Sequence, residues 1–325
     1  MLKKLLNLSL IMMIVFVGSC KKSGDDDPDE WTKGSDFEGI PRSGAASFVI
    51  DDVVYVTGGF DGEKRLNDIW YYNNKLTNWY RVTDADFPGK ARNYAMGFSI
   101  NGKGYLGGGF DGTNGLTDFY EFDPVQKKWK AIADLPGDGR YGAVAFSQDG
   151  KGYVGTGTGL NGDLKDFYSY NPANNTWVQV SSLPGTKRVY AFTFTIGETV
   201  YVGSGRNNGL YLTDFWSYNA KTDKWNILKD LKNTEKSNEY NLGRENAATF
   251  VLNSKGYIVG GSSGSVLSNT WQYTPATDSW KKYQDFKGYA RESAIGFAIG
   301  DRGYITTGRN GSSRFDDTWL FKPNN

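Results

Sequence analysis

Along RNYAMGFSINGKGYLGGGF, residues 92–110, apolar and polar positions alternate in two short runs that break at Asn101-Gly102. An Asn-Gly pair between alternating runs signals a hairpin, because that turn needs positive φ at both central residues. The pattern gives strands at RNYAMGFSI (92–100) and GYLGGGF (104–110), then at DFYEF (118–122) and KWKAIA (128–133). Leu135-Pro136 ends the set, and another arginine follows.

The same pattern returns along the chain. Arginines at 42, 92, 140, 188, 244 and 291 are each followed thirteen residues on by Tyr55, Tyr105, Tyr153, Tyr201, Tyr257 and Tyr304. Four residues past each tyrosine stands Gly59, Gly109, Gly157, Gly205, Gly261 or Gly308. An aromatic comes next (Trp70, Tyr120, Tyr168, Trp216, Trp271, Trp319), and nine residues beyond the first five stand Trp79, Trp129, Trp177, Trp225 and Trp280. Four antiparallel strands repeated at a period near 48 residues describe the blades of a β-propeller.

Arg…Tyr-Leu-Gly-Gly-Gly…Phe-Tyr-Glu-Phe-Asp…Trp resembles the kelch repeat, and the resemblance spans residues 31–322. It implies an all-β, six-bladed kelch β-propeller with four antiparallel strands per blade. Nine residues after Trp319 would be position 328, beyond the 325 of the sequence, whereas Trp31 precedes the first repeat arginine. Trp31 is therefore expected to complete the last blade beside Asp317–Phe321, closing the ring and hiding two sheet edges.

Recurring residues read as scaffold. Alanine and phenylalanine stand three and six places after each arginine, as in Ala45 and Phe48, and three apart in a strand means opposite faces. The expectation is ring-against-alanine contact between neighbouring blades. Asp68, Asp118, Asp166, Asp214 and Asp317, with Asn269 in the fifth unit, are expected to tie the turn before the third strand through backbone bonds. The six arginines are expected to hydrogen-bond neighbouring loops rather than form an anion site at the channel mouth.

The first residues carry an address. MLKKLLNLSLIMMIVFVGSC has a basic start, an apolar run from Leu5 to Val17 too short for a comfortable membrane span, and small residues before Cys20. Val17-Gly18-Ser19-Cys20 resembles a bacterial lipobox, which implies a signal peptide at 1–19 and lipidation of Cys20. Residues 20–30 form an acidic flexible tether, and 31–325 form the propeller. The tether resembles the surface-export signal of some Gram-negative lipoproteins. The folded part is expected in the bacterial cell envelope, as an outer-membrane lipoprotein facing the periplasm or the outer surface.

Composition narrows the chemistry. Histidine is absent and Cys20 is the sole cysteine, which excludes a Ser-His-Asp triad, imidazole metal ligation and disulfides within the chain. Kelch oxidases that use copper need histidine ligands and a tyrosine–cysteine crosslink, so that chemistry is excluded and no cofactor is expected. The formal charge is +1, or −1 once Lys3 and Lys4 leave with the leader, and no basic stripe is visible. Nucleic acid is not an expected partner, and the membrane is met through the lipid anchor only.

What varies between units is free to bind. In kelch domains that bind peptides, the resemblance places contacts at the residue after Gly-Gly and two past the repeat arginine. Here the first position reads Phe60, Phe110, Thr158, Arg206, Ser262 and Arg309, and the second Gly44, Tyr94, Gly142, Tyr190, Asn246 and Ser293. The candidate ligand-binding residues are Arg206, Arg309, Phe60, Phe110, Tyr94, Tyr190 and Asn246. Glu239 joins them from the extended loop KNTEKSNEYNLG (232–243), if that loop arches over the mouth. Aromatic platforms beside arginines and amides suit a glycan or peptide, especially an acidic one. The expected function is an extracytoplasmic, lipid-anchored binding module. The alternative is a sugar mutarotase or epimerase of the sialic acid type, to which a six-bladed extracytoplasmic propeller is also similar. The residues matching that enzyme's motif hold neither histidine nor glutamate, so Glu239, Glu245 and Glu292 are the carboxylates left for acid–base work.

Overall fold

A computed structural model describes residues 30–323, apart from 74, 76, 77 and 238. The expected signal peptide at 1–19 and the expected lipidation site Cys20 lie outside the described residues. Six four-stranded antiparallel sheets surround one axis. Blade two is Met96–Ile100, Lys103–Gly107, Phe119–Asp123 and Lys128–Ala131, counted from the axis outward. Its first hairpin turns through Asn101 and Gly102 at φ +49° and +74°, as the Asn-Gly signal requires. The innermost strands of blades one, three, four, five and six are Ala46–Ile50, Val144–Gln148, Phe192–Ile196, Ala248–Leu252 and Ile295–Ile299.

Blade six is assembled from both ends of the sequence. Ile295–Ile299, Arg302–Thr306 and Thr318–Phe321 are joined by Trp31–Lys33 as the outer strand. Trp31 faces Phe321, Thr32 faces Leu320 and Lys33 faces Trp319. Trp31 is 1% exposed, with its ring centroid 4.9 Å from both Phe286 and Phe321. It shares a core with Phe250 and Tyr257 of blade five, so the strand that finishes one blade also seals it against its neighbour.

Between blades, the phenylalanine six places after each repeat arginine stacks on the repeat tyrosine directly opposite. Phe98 and Tyr105 lie 5.2 Å apart at 10°, and Phe297 and Tyr304 lie 4.8 Å apart at 2°. The outer face of each phenylalanine meets the second strand of the next blade. A Cβ on Gly104 would stand 2.1 Å from Phe48, and one on Gly152 2.1 Å from Phe98, so only glycine fits at that spacing. Val200 and Val54 take this place against Phe146 and Phe297. Ala45, Ala143, Ala191 and Ala294 pack against the clusters that hold Phe297, Phe98, Phe146 and Phe250 of the neighbouring blade, and with Ala95 and Ala247 they line the axial cavity just before the strand. Burying each ring is worth about 1.5–3 kcal/mol.

The six repeat arginines are at most 1% exposed, far from forming an open anion site. Five pair with the aspartate 26 residues on, as in Arg42 Nη1–Asp68 Oδ1 (2.6 Å) and Nη2–Asp68 Oδ2 (2.8 Å). Each arginine also donates to a carbonyl at the end of its second strand, such as Gly58 O at 3.0 Å from Arg42. The aspartates therefore hold a side chain, where backbone turn bonds were expected. The clamp ties the incoming connection to the start of the third strand in blades one to four and six, and in blade five Arg244 donates to Asn269 Oδ1 instead.

Two predictions follow from this packing. Trp31→Ala should cost about 3–5 kcal/mol in urea unfolding, since it empties the seam of the ring. Burial pushes Asp68, Asp166 and Asp317 up, but the arginine hydrogen bond and charge outweigh it and hold all three below 3.8. Stability from a depressed carboxyl is complete above its unfolded value and is lost as pH falls through the native one. The melting temperature should therefore stay level from neutral pH to about 5 and drop below about 4.

Candidate functional site

Two residues past each arginine, Gly44, Tyr94, Gly142, Tyr190, Asn246 and Ser293 all hold left-handed backbone, with φ of +62°, +53°, +61°, +59°, +56° and +55°. This conformation turns each amide toward the preceding blade. Tyr94 N–H donates to Gly44 O (2.7 Å), Gly142 to Tyr94 (3.1 Å) and Tyr190 to Gly142 (2.8 Å). Asn246 donates to Tyr190 (3.1 Å), Ser293 to Asn246 (3.0 Å) and Gly44 to Ser293 (2.9 Å). Six peptide groups thus form one closed hydrogen-bonded collar around the axis. Glycine and asparagine suit this geometry, whereas a tyrosine there costs about 1–2 kcal/mol.

The side chains of the collar and the six alanines after it line a cavity of about 190 Å³. Tyr94 and Tyr190 lie across it, ring centroids 4.9 Å apart at 54°. Each ring covers the glycine of the preceding blade: a Cβ on Gly44 would be 3.0 Å from Tyr94, and one on Gly142 2.6 Å from Tyr190. The Tyr94 hydroxyl lies 3.2 Å from Ser293 Oγ. Burial pushes both phenols above their ordinary pKa, so both stay protonated donors at neutral pH.

Above the collar a second ring consists of antiparallel pairs: Ser43–Phe60, Asn93–Phe110, Tyr141–Thr158, Val189–Arg206, Glu245–Ser262 and Glu292–Arg309. Its two halves differ in chemistry. Over blades four to six, Arg206 Nε is 3.3 Å from Glu245 Oε2, and Arg309 Nη2 is 2.8 Å from Glu292 Oε1. The carboxylates are buried and the arginines half-exposed. Burial raises the Glu245 carboxyl, Arg206 opposes that, and Glu292 of the neighbouring blade adds to it. Over blades one to three the ring is aromatic. Phe110 and Tyr141 lie 4.9 Å apart, and Tyr141 and Tyr190 6.4 Å apart.

The structure brings seven of the eight expected ligand-binding residues to this mouth, with two changes of role. Arg206 and Arg309 are neutralised by Glu245 and Glu292, so they are not free cations. Phe60 and Phe110 are half-buried and capped: the Arg65 guanidinium lies 5.3 and 4.8 Å from their centroids, and Arg314 lies 5.3 Å from Phe60. Arg65 also donates to Asn93 Oδ1 at 3.0 Å. Arg65 and Arg314 both stand 23 residues after the repeat arginine of their blade, Arg42 or Arg291, a position that holds other residues in the remaining blades, so the repeat register could have marked them. Glu239 is the correction. Lys232–Asn233 pairs with Tyr240–Asn241 in a two-stranded ribbon, where Tyr240 packs on Trp271 of blade five (5.8 Å) and Glu239 is exposed to solvent. The ribbon borders a groove with Asp278 and Trp280 instead of arching over the axis.

The model of the KLHDC2/KLHL20/DRC7 Kelch-repeats domain matches residues 25–138 and 136–298. The chain belongs to the kelch-repeat family. Among solved structures, the one titled "Structure of YjhT" superposes with a TM-score of 0.76, covering 89% of this chain and 97% of that one at 17% identity. That likeness shows the shared propeller fold. A search of the curated proteins finds no match.

In this kelch propeller, Arg206→Ala with Arg309→Ala leaves two buried carboxylates unpaired. The double variant should lose about 1–3 kcal/mol per site at pH 7. The loss at the Glu245 site should shrink as pH falls toward 5, because burial raises that carboxyl and its protonation stabilises the folded state. Thermal unfolding at the two pH values checks both statements.

Proposed function

We propose that this kelch propeller is an extracytoplasmic, lipid-anchored binding module that captures the end of a glycan or peptide at its axial mouth. The observation that carries the reading is the pair Tyr94 and Tyr190. Both keep a strained left-handed backbone where blades one and three use glycine, and that strain persists with two aromatic faces set in an open cavity. Outliers of this kind cluster at ligand sites. Around the rings, Asn246 and Ser293 offer an amide and a hydroxyl, and the Arg206–Glu245 and Arg309–Glu292 pairs line one side. Aromatic faces beside fixed polar groups are what a sugar ring or a peptide terminus needs. A volume near 190 Å³ suits one terminal residue or ring rather than a long segment. The envelope location rests on the lipobox-like Val17-Gly18-Ser19-Cys20 and the acidic tether after it.

A second reading, exchange of sugar anomers, is favoured by Glu245. Its carboxyl is buried beside the mouth with its pKa raised, as a general acid–base group requires.

An array of glycans and cell-envelope peptides identifies the ligand. Tyr94→Asn with Tyr190→Asn keeps a residue suited to left-handed backbone, so the melting temperature should hold within a few degrees while capture falls at least tenfold. Equal capture by parent and variant sinks the reading. Sugar anomer exchange followed by NMR, accelerated by the parent and not by Glu245→Gln, selects the second reading instead.

A further inference from the structure

Blade five breaks the clamp that the other blades share. In blades one, four and six a single carboxylate oxygen accepts from both an arginine and a tryptophan. Asp68 Oδ2 is 2.8 Å from Arg42 Nη2 and 2.6 Å from Trp70 Nε1. Asp317 Oδ2 is 2.9 Å from Arg291 Nη2 and 2.7 Å from Trp319 Nε1. Asp214 Oδ2 likewise joins Arg188 Nη2 and Trp216 Nε1.

In blade five the residue is Asn269. Arg244 keeps the same seat, donating from Nε to Leu242 O (3.1 Å) and from Nη1 to Gly260 O (2.9 Å) and Asn269 Oδ1 (2.6 Å). Trp271 keeps the register of Trp216, facing Ile258 and Lys282 as Trp216 faces Val202 and Ile227. The amide, however, presents NH₂ where the other blades present oxygen. The buried Trp271 Nε1 has no hydrogen-bond partner, and among the described residues no acceptor meets Arg244 Nη2. The indole N–H thus lacks the oxygen that meets its counterparts in blades one, four and six, and among the described residues no carboxylate pairs with the Arg244 guanidinium, which is 1% exposed. Burial alone pushes its pKa down to about 10.

The cover over this place differs as well. In blade four, Gly185 of the Leu-Pro-Gly connection sits so close that a Cβ there would stand 2.3 Å from Asp214 Oδ2 and 2.8 Å from Trp216 Nε1. In blade five that connection is the Lys232–Asn241 ribbon, with Tyr240 over Trp271. One blade therefore lacks both the carboxylate and the glycine cover.

We infer that Arg244, Trp271 and the Asn269 amide form a buried site for a small monovalent anion, a halide or formate, that replaces the absent aspartate oxygen. The anion compensates the guanidinium and accepts from the indole and the amide, restoring the clamp the other blades make covalently. It lies outside the axial mouth and does not depend on the ligand bound there. A ligand that binds only the native state raises stability in proportion to the logarithm of its concentration above Kd.

The test is thermal unfolding of the purified protein while chloride or formate replaces gluconate, which is too large to enter, at constant ionic strength. The parent should gain a few degrees with either anion, and Asn269→Asp, which supplies its own carboxylate, should melt higher in gluconate and respond to neither. A crystal soaked in bromide should give an anomalous peak within hydrogen-bonding distance of Trp271 Nε1. Equal responses of parent and Asn269→Asp, or a water in place of bromide at the three donors, overturn the site.

Discussion

The pairing of Trp31–Lys33 with Trp319–Phe321 is the contact on which the rest of this molecule depends. Each blade buries its inner rings only because a neighbour stands on both sides, so an open arc would expose two faces at once. The seam meets this need with one short strand and one large side chain. Trp31 completes the hydrogen bonding of blade six and fills the apolar gap against blade five. The axial collar depends on the same closure, since its last bond runs from Gly44 back to Ser293. Removing the seam would separate two blades and break the collar together.

Within that ring, repetition separates scaffold from site. The arginine–aspartate clamp, the stacked phenylalanine–tyrosine pairs and the glycines that let rings approach recur because every blade faces the same packing problem. Departures concentrate in two places. At the mouth, tyrosines replace glycine in a left-handed position, and charged pairs face aromatic ones across the axis. In blade five, an amide replaces a carboxylate exactly where a longer ribbon replaces a glycine-bearing turn. Both departures put strained or unpaired groups where the fold by itself has no use for them.

Much of the architecture was legible in the sequence, because period, hairpin signals and the misplaced Trp31 each reflect a local rule. Asn101-Gly102 announces its turn, and the spacing from arginine to tryptophan gives the blade. The partners of those residues were less legible. Phe98 was expected on an alanine, but its tightest approach is to Gly152 of the next blade, a contact between blades that a period of two does not mark. The aspartates read as turn residues because their arginine partners stand 26 positions earlier, beyond any local motif. At the mouth, the positions two past the arginine came from the resemblance to kelch domains that bind peptides, mapped onto the repeat. That Arg206 and Arg309 are already neutralised depends on Glu245 and Glu292 being folded beside them, a contact between loops. Glu239 was misplaced for a related reason: an insertion's length says nothing about its direction, and Tyr240 finds Trp271 before the loop can reach the axis.

Amide hydrogen exchange at the seam tests the closed ring most directly. If Trp31–Lys33 and Thr318–Phe321 are one sheet, the amides that bond across the seam, Gly34 to Thr318 O and Lys322 to Glu30 O, should exchange as slowly as those of the inner strands and open only with the whole propeller. Rapid exchange of Gly34 and Lys322 beside protected inner strands would contradict closure.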